Sequence, residues 1–201
     1  MKNLLYILLI LSFSSVAQQK FITKTGHVNF EASVPSFEEV KAKNTSVSAI
    51  LNADNGEFAA LVLVKAFRFK NALMEEHFNE NYAESSKFPK ATFKGQIENF
   101  KFNDLNTSKK AYKINGELTF HGVTKTISDV DISMSLNDKV IEFTGSLTVL
   151  ASDFDIKIPS VVKNKISEEI HIDFRFELAK WFLNDFYPIS TPYFFTLVFP
   201  F

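Results

Sequence analysis

The sequence contains no cysteine, and this absence excludes several kinds of chemistry at once. Without cysteine the chain can form no disulfide bond, present no thiol nucleophile and offer no thiolate ligand to a metal. Glycine is also scarce, with six residues, and none of them forms the glycine-rich loop that cradles phosphate groups. The fold must therefore be held together by its hydrophobic core alone.

An excess of basic charge is missing as well. The chain carries 22 Lys and Arg residues against 23 Asp and Glu residues. Binding to a nucleic acid needs a basic stripe that neutralises phosphates, and the sequence shows none. We therefore expect no nucleic-acid partner.

The first 17 residues have the three parts of a secretory signal peptide. Lys2 supplies the basic start, residues 4–13 form an apolar core, and Ser15 and Ala17 are the small residues before a cleavage site. The apolar core is too short to span a membrane, so we expect no stable transmembrane span. The sequence predicts cleavage after Ala17 and a mature chain that is periplasmic or secreted.

Aromatic residues are abundant in one form only, because the chain has 23 Phe but five Tyr and one Trp. Phe adds a large apolar area without a polar atom that needs a partner. Two interpretations stay open at this point. The rings could pack into a filled core, or they could line a wide apolar cavity.

Most of the chain alternates apolar and polar residues with a period of two, which indicates β-strands with one buried face. The pattern predicts eight strands, at residues 27–34, 45–52, 57–69, 91–102, 112–120, 130–136, 141–149 and 168–178. Turn residues at 53–57 and 136–139 predict hairpins. In the strand at 91–102 the apolar positions change parity, which predicts a bulge or bend near Asn99. Evenly spaced short strands favour an antiparallel sandwich or barrel.

Two segments depart from this pattern. Residues 71–85 have the spacing of a helix, with Met74 and Phe78 on one face. Residues 181–201 are strongly apolar and contain three prolines, which argues against a membrane helix or a central strand. The role of this tail stays open between a packed segment, a membrane or partner contact, and a non-native ending.

Candidate catalytic groups are few. None of the four histidines, His27, His77, His121 and His171, has a second histidine at metal-ligand spacing. The acidic pairs are adjacent in sequence, and adjacent carboxylates do not face each other on one element. The sequence predicts no catalytic site, no metal site and no enzyme activity.

Three longer stretches together resemble the YceI-like domain, a secreted bacterial family with a lipocalin-like barrel. They are MEEHFNENYAESSKFPKATFKG (74–95), INGELTFHGVTKTI (114–127) and FTGSLTVLASDFDIKIPS (143–160). The matching positions are Phe88, Pro89, Phe93, Gly116, Leu118, Gly122, Val123, Thr124, Lys125, Ser152, Asp153, Phe154 and Ile156. Many relatives carry an Arg-Asp pair before the histidine of the helix, where this chain has Glu75 and Glu76.

The resemblance covers residues 20–180 and implies the fold. It implies a mainly β domain over 18–180, a single antiparallel eight-stranded barrel with one short helix after strand three. In this family such a barrel encloses an apolar channel that holds an amphiphile, a polyisoprenoid chain or an isoprenoid quinone. The inward rows that would line the channel here include Phe93, Ile97, Ile114, Leu118, Phe120, Ile132, Met134, Phe143, Leu147, Ile172 and Phe174.

The sequence therefore supports two functional hypotheses. The first is an exported lipid-binding protein that carries or sequesters an isoprenoid-type amphiphile and needs no other cofactor. The alternative is a non-enzymatic barrel with a filled core that acts through a protein partner. The sequence also leaves a homodimer open.

Overall fold

The structure, a computed structural model, describes residues 19–35 and 37–181. This part of the chain forms β1 (Lys20–Ser33), β2 (Lys41–Asn52), β3 (Glu57–Leu63), β4 (Arg68–Phe69), α1 (Ala72–His77), β5 (Lys90–Ile97), β6 (Lys110–Phe120), β7 (Val123–Asn137), β8 (Val140–Leu150) and β9 (Ile166–Lys180). The predicted signal peptide lies outside the described residues, as does all of the predicted tail except Trp181.

Eight of these strands close into an antiparallel barrel. The strand order is β1-β9-β8-β7-β6-β5-β3-β2, and β1 also pairs with β2, which closes the sheet. The two-residue β4 pairs with β2. The predicted fold, a mainly β chain forming a closed eight-stranded barrel with one short helix inserted after the third long strand, is confirmed.

Left-handed backbone conformations make the tight turns. In the turn between β6 and β7, His121 and Gly122 have φ angles of 51° and 79°. This is the sign that a two-residue hairpin turn requires at both positions. Gly56 (φ 80°) lies in the turn between β2 and β3, and Asp138 (φ 54°) lies in the turn between β7 and β8. The hairpins predicted at 53–57 and 136–139 are therefore confirmed.

The strand predicted at 57–69 is shorter than expected. β3 ends at Leu63, and a single 3-10 turn, Val64–Ala66, follows before β4. The buried side chain of Asn44 donates from Nδ2 to the Leu63 carbonyl at 3.1 Å. This bond satisfies the Leu63 carbonyl at the point where the strand ends. The run of apolar residues continues beyond the strand, so the run alone overestimates the length of the strand.

The bend near Asn99 exists, but it is not a bulge inside a strand. β5 ends at Ile97, and Asn99 takes a left-handed conformation with φ 51°. A 3-10 turn, Phe102–Asp104, follows. The parity of the apolar residues changes because the strand stops. Register shifts occur instead in β1, on both sides of Gly26, and in the β6–β7 pairing between Ile114 and Gly116.

The helix predicted at 71–85 begins at Ala72, directly after its capping residue Asn71. Asn71 accepts a hydrogen bond from the backbone N–H of Leu73 at 2.9 Å, which satisfies a free donor of the first turn. After His77 the helix continues as a π-helical turn, Phe78–Tyr82. Within the described ranges, no helix combines the length and hydropathy needed to cross a membrane.

Candidate functional site

The interior of the barrel is packed at one end and hollow at the other. On β8, Ile141 is fully buried in the core, while Leu147 and Val149 line a cavity. Phe143 lies between them and belongs to both regions. The buried residues of the packed end are Phe21, Val47, Ala49, Leu51, Ala53, Ile97, Leu105, Tyr112, Val130, Ile132, Met134, Ile141 and Leu178.

The hollow end encloses a cavity of about 590 Å³. This volume falls within the range of small-molecule sites, about 300–1,000 Å³. Phe is the most frequent lining residue, at positions 30, 37, 58, 67, 69, 78, 93, 120, 143, 154, 174 and 176. Both interpretations of the abundant Phe therefore apply. The rings fill the core at one end of the barrel and line an apolar cavity at the other.

A layer of aromatic rings forms the floor of the cavity. Phe58 and Phe143 stack face to face, with ring centroids 4.4 Å apart and ring planes 7° apart. Phe176 packs against both, with centroid distances of 5.5 Å and 6.0 Å. Below these rings lie the fully buried Leu178 and Ile141. The floor therefore separates the cavity from the packed end.

The helix lies over the cavity and is fixed there by a second group of rings. Phe78, at the end of α1, packs against Phe30 of β1 at 5.3 Å and against Phe69 of β4 at 5.2 Å. Phe67 completes the group, 5.1 Å from Phe30. Met74 lines the cavity from the same helix. Helix α1 therefore forms part of the roof, and aromatic contacts help to attach it there.

Few of the side chains that line the cavity are polar. The lining residues that carry a polar side-chain atom are Glu38, His77, Tyr82, Thr92 and Lys165. Glu38 accepts a hydrogen bond from Asn71 at 3.3 Å, and burial raises the pKa of the Tyr82 phenol. Such a cavity suits a molecule with a long apolar body and a small polar end.

The structure brings together eight of the eleven residues predicted to line a channel. Those eight are Phe93, Ile114, Leu118, Phe120, Phe143, Leu147, Ile172 and Phe174. The other three, Ile97, Ile132 and Met134, lie in the packed end at 1–3% exposure and do not line the cavity. Their side chains share the inward face, but they lie below the floor. Contact of any of these residues with a ligand stays a prediction.

Several lining residues were not foreseen from the sequence. They come from β1 and β3, at Val28, Ala60 and Val62, and from the helix, at Met74 and Tyr82. The alternation within 27–34 and 57–62 could have identified the strand positions. The helix positions needed knowledge of where the helix docks, which its own spacing does not give.

The three sequence motifs meet beside the cavity in a network with a structural role. The ring of Phe88 packs edge-on against His121 at 4.7 Å, and His121 Nδ1–H donates to the carbonyl of Phe154 at 2.9 Å. Lys125 donates to Asp153 at 2.5 Å, and this ion pair holds the pKa of Asp153 below its usual value. These contacts join the segment after the helix, the β6–β7 hairpin and the 3-10 turn at 151–154.

Glu75, a position where the sequence departs from the family pattern, also makes contacts within the protein. Its two carboxylate oxygens accept hydrogen bonds from Arg68 Nη1 at 3.0 Å and from the backbone N–H of Phe69 at 3.1 Å. The carboxylate therefore ties α1 to β4. Within residues 19–35 and 37–181, no group of three His, Asp or Glu residues is placed to hold a metal ion.

Several solved structures share this fold. A polyisoprenoid-binding domain from Saccharophagus degradans, implicated in plant cell wall breakdown, is 16% identical over 82% of this chain and 100% of its own, with a TM-score of 0.70. BcnA from Burkholderia cenocepacia is 18% identical over 77% and 96% of the two chains, with a TM-score of 0.63. The YceI protein of Campylobacter jejuni is 18% identical over 74% and 89%, with a TM-score of 0.59. At these identities the similarity shows the fold alone.

The family assignment comes from the sequence. No protein with a curated description matches the chain. The family model of the YceI-like domain, by contrast, matches residues 19–178, which is nearly the whole described barrel. The chain therefore belongs to the YceI-like domain family.

Proposed function

We propose that this protein is an exported lipid-binding protein that holds the apolar chain of an isoprenoid-type amphiphile, a polyprenyl chain or quinone, in the barrel cavity. The observation that carries the proposal is the cavity of about 590 Å³, closed at its base by stacked Phe rings and almost free of polar side chains. The S. degradans relative, which is described as a polyisoprenoid-binding domain, supports the same class of ligand. The proposed role is to carry or sequester the amphiphile, not to change it chemically.

The hydrophobic effect supplies the affinity in this proposal. Each buried methylene contributes about 0.8 kcal/mol, so a chain of 15 carbons gains about 12 kcal/mol before the cost of association. That cost is about 4–15 kcal/mol, so the net affinity depends on how much of the chain the cavity covers. The alternative hypothesis needs a completely filled core, whereas one end of this barrel is hollow.

Export forms the second part of the proposal. A prenyl chain is almost insoluble in water, so moving it between membranes requires a protein that covers it. The predicted signal peptide, residues 1–17, would place such a carrier in the periplasm or outside the cell. Expression of the full chain, followed by mass determination of the mature protein in each cell fraction, tests this part.

Native mass spectrometry of the purified mature protein tests the binding. We expect an adduct that extraction with organic solvent identifies as an isoprenoid lipid, and we expect the delipidated protein to take up a prenyl quinone. The variant Leu147→Trp narrows the cavity and should weaken uptake of the prenyl quinone. The matched control is Leu63→Trp, because Leu63 is 48% exposed and does not line the cavity. A protein that purifies empty and takes up no prenyl quinone would contradict the proposal.

A further inference from the structure

We infer that Phe58 and Phe143 set the length of the longest chain that the cavity holds, at about 15 to 20 carbons. The inference rests on the proposed function and adds to it a limit on chain length. It follows from the position of the aromatic floor, which stops the cavity partway along the barrel.

The volume of the cavity gives the first measure of that limit. A methylene group is close in size to a water molecule, which takes about 30 Å³ in the liquid. A cavity of 590 Å³ therefore accommodates about 20 groups of that size. Because a prenyl unit has five carbons, this volume corresponds to about four units.

The depth of the cavity gives a second measure. On β8, Val149 lies six positions beyond Phe143 of the floor, and both residues line the cavity. At a rise of about 3.3 Å per residue, this stretch covers about 20 Å along the strand. A strand tilt of about 40° reduces the depth to about 15 Å along the barrel axis. An extended chain advances about 1.2 Å per bond, so about 12 bonds, or three prenyl units, span the distance from the floor to Val149. Lining residues such as Ile166 continue the cavity beyond this height, so three units are the lower measure.

The rings of the floor are closely packed against one another. Phe143 contacts Phe58, Phe174 and Phe176, and it is 1% exposed. On β8 the next inward residue below it, Ile141, is completely buried. Among the described residues, those of the packed end below the floor do not line the cavity, so a longer chain has to leave its excess carbons outside the rim.

Two substitutions move the floor in opposite directions. One is at Ala60 on β3 and raises the floor, and the other is at Phe143 and lowers it. Ala60 lines the cavity and is the next inward residue above Phe58 on the same strand. The change Ala60→Phe adds six carbon atoms directly above the floor. The change Phe143→Ala removes about the same number from the floor. Each changes the available space by about one prenyl unit, in opposite directions.

A series of all-trans prenyl alcohols with 10, 15, 20, 25 and 30 carbons tests the inference. Native mass spectrometry of the mature protein, with each alcohol competing against the 15-carbon alcohol, gives relative affinities. For the unaltered protein we expect at least about a tenfold gain per added unit up to 20 carbons, and less than threefold beyond. The affinity should keep rising up to the 25-carbon alcohol in Phe143→Ala. In Ala60→Phe it should stop rising at the 15-carbon alcohol.

The control variant is Phe21→Ala, which removes the same ring atoms from the packed end, where Phe21 is 2% exposed and does not line the cavity. In this variant the affinity should still stop rising beyond the 20-carbon alcohol, as in the unaltered protein. Should Phe143→Ala fail to fold, Phe143→Leu and Ala60→Phe still decide the question. An unaltered protein that binds the alcohols without a break in length overturns this inference alone. One that takes up none of them overturns the proposed function too.

Discussion

The Nε2 atom of His121 lies 2.9 Å from the carboxylate of Glu84. Both residues have left-handed backbone conformations, with φ angles of 51° and 41°. The other ring nitrogen donates to the carbonyl of Phe154. One side chain thus links the segment after the helix, the β6–β7 hairpin and the 3-10 turn, and we interpret His121 as a structural residue beside the cavity.

Replacing His121 with asparagine should therefore destabilise the protein. Asn tolerates the left-handed backbone, so the change His121→Asn tests the side-chain contacts without adding strain. We expect a loss of about 1–3 kcal/mol in the free energy of unfolding, measured by urea denaturation, because the Phe154 carbonyl loses its partner. The control His171→Asn, at an exposed residue bonded to Thr148, should change stability by about 0.5 kcal/mol or less. Equal losses in the two variants would contradict the structural role.

Gly116 occupies a place where β5 and β6 approach too closely for a side chain. A Cβ atom there would lie 2.3 Å from the carbonyl oxygen of Lys94 and 2.7 Å from the Cα of Gly95. Both are backbone atoms, so the strands themselves would have to separate. We expect Gly116→Ala to lower stability by about 2–3 kcal/mol, or about 4–12 °C in Tm by calorimetry. The neighbouring outward-facing change Glu117→Ala should leave Tm nearly unchanged, and a tolerated Gly116→Ala would show that the barrel relaxes there.

Acid should weaken the network around Asp153. The ion pair with Lys125 and the hydrogen bond from the backbone N–H of Leu150 lower the pKa of Asp153 in the folded protein. A carboxyl group with a lowered folded pKa stabilises the protein above its unfolded pKa, and this contribution is lost as pH falls through the folded value. Below about pH 4, stability should therefore fall less steeply with pH in Asp153→Asn than in the unaltered protein. The control Asp138→Asn, at an exposed turn, should keep the original slope, and an unchanged slope in Asp153→Asn would contradict the assignment.

The barrel could be predicted from the sequence because alternation is a local property. The rows at 112–120 and 168–178 lie within β6 and β9, and the turn residues determine where each hairpin reverses. The predicted end of a strand was wrong where the run of apolar residues is longer than the strand, as at 57–69. β3 ends at Leu63, where the side chain of Asn44 binds the Leu63 carbonyl, and that contact joins residues 19 positions apart.

The extent of the cavity could not be predicted in the same way. Alternation identifies the inward face of a strand, but it does not tell at which height along the barrel a side chain lies. Met134 and Leu147 are both apolar and inward-facing, yet Met134 lies in the packed end and Leu147 lines the cavity. The difference depends on how rings from several strands, such as Phe58 and Phe143, meet across the interior.

The hydroxyl of Tyr82 gives a test of how an amphiphile would be oriented. Tyr82 lines the cavity from the helical segment that covers it, and burial raises the pKa of its phenol, so the group stays a neutral hydrogen-bond donor. If the polar end of the ligand lies at the rim, Tyr82→Phe should weaken binding of a prenyl alcohol by about 3- to 10-fold, the worth of one hydrogen bond.

The same change should leave binding of a prenyl hydrocarbon with equal carbon number unaffected, because that ligand offers no acceptor to the phenol. The matched control is Tyr112→Phe. The Tyr112 hydroxyl is buried in the packed end, and no group among the described residues hydrogen-bonds to it. Removing that hydroxyl should leave both affinities unchanged and raise stability, because a buried polar atom without a partner is costly. Equal loss of alcohol and hydrocarbon binding in Tyr82→Phe would indicate that Tyr82 acts only through packing and that the polar end lies elsewhere.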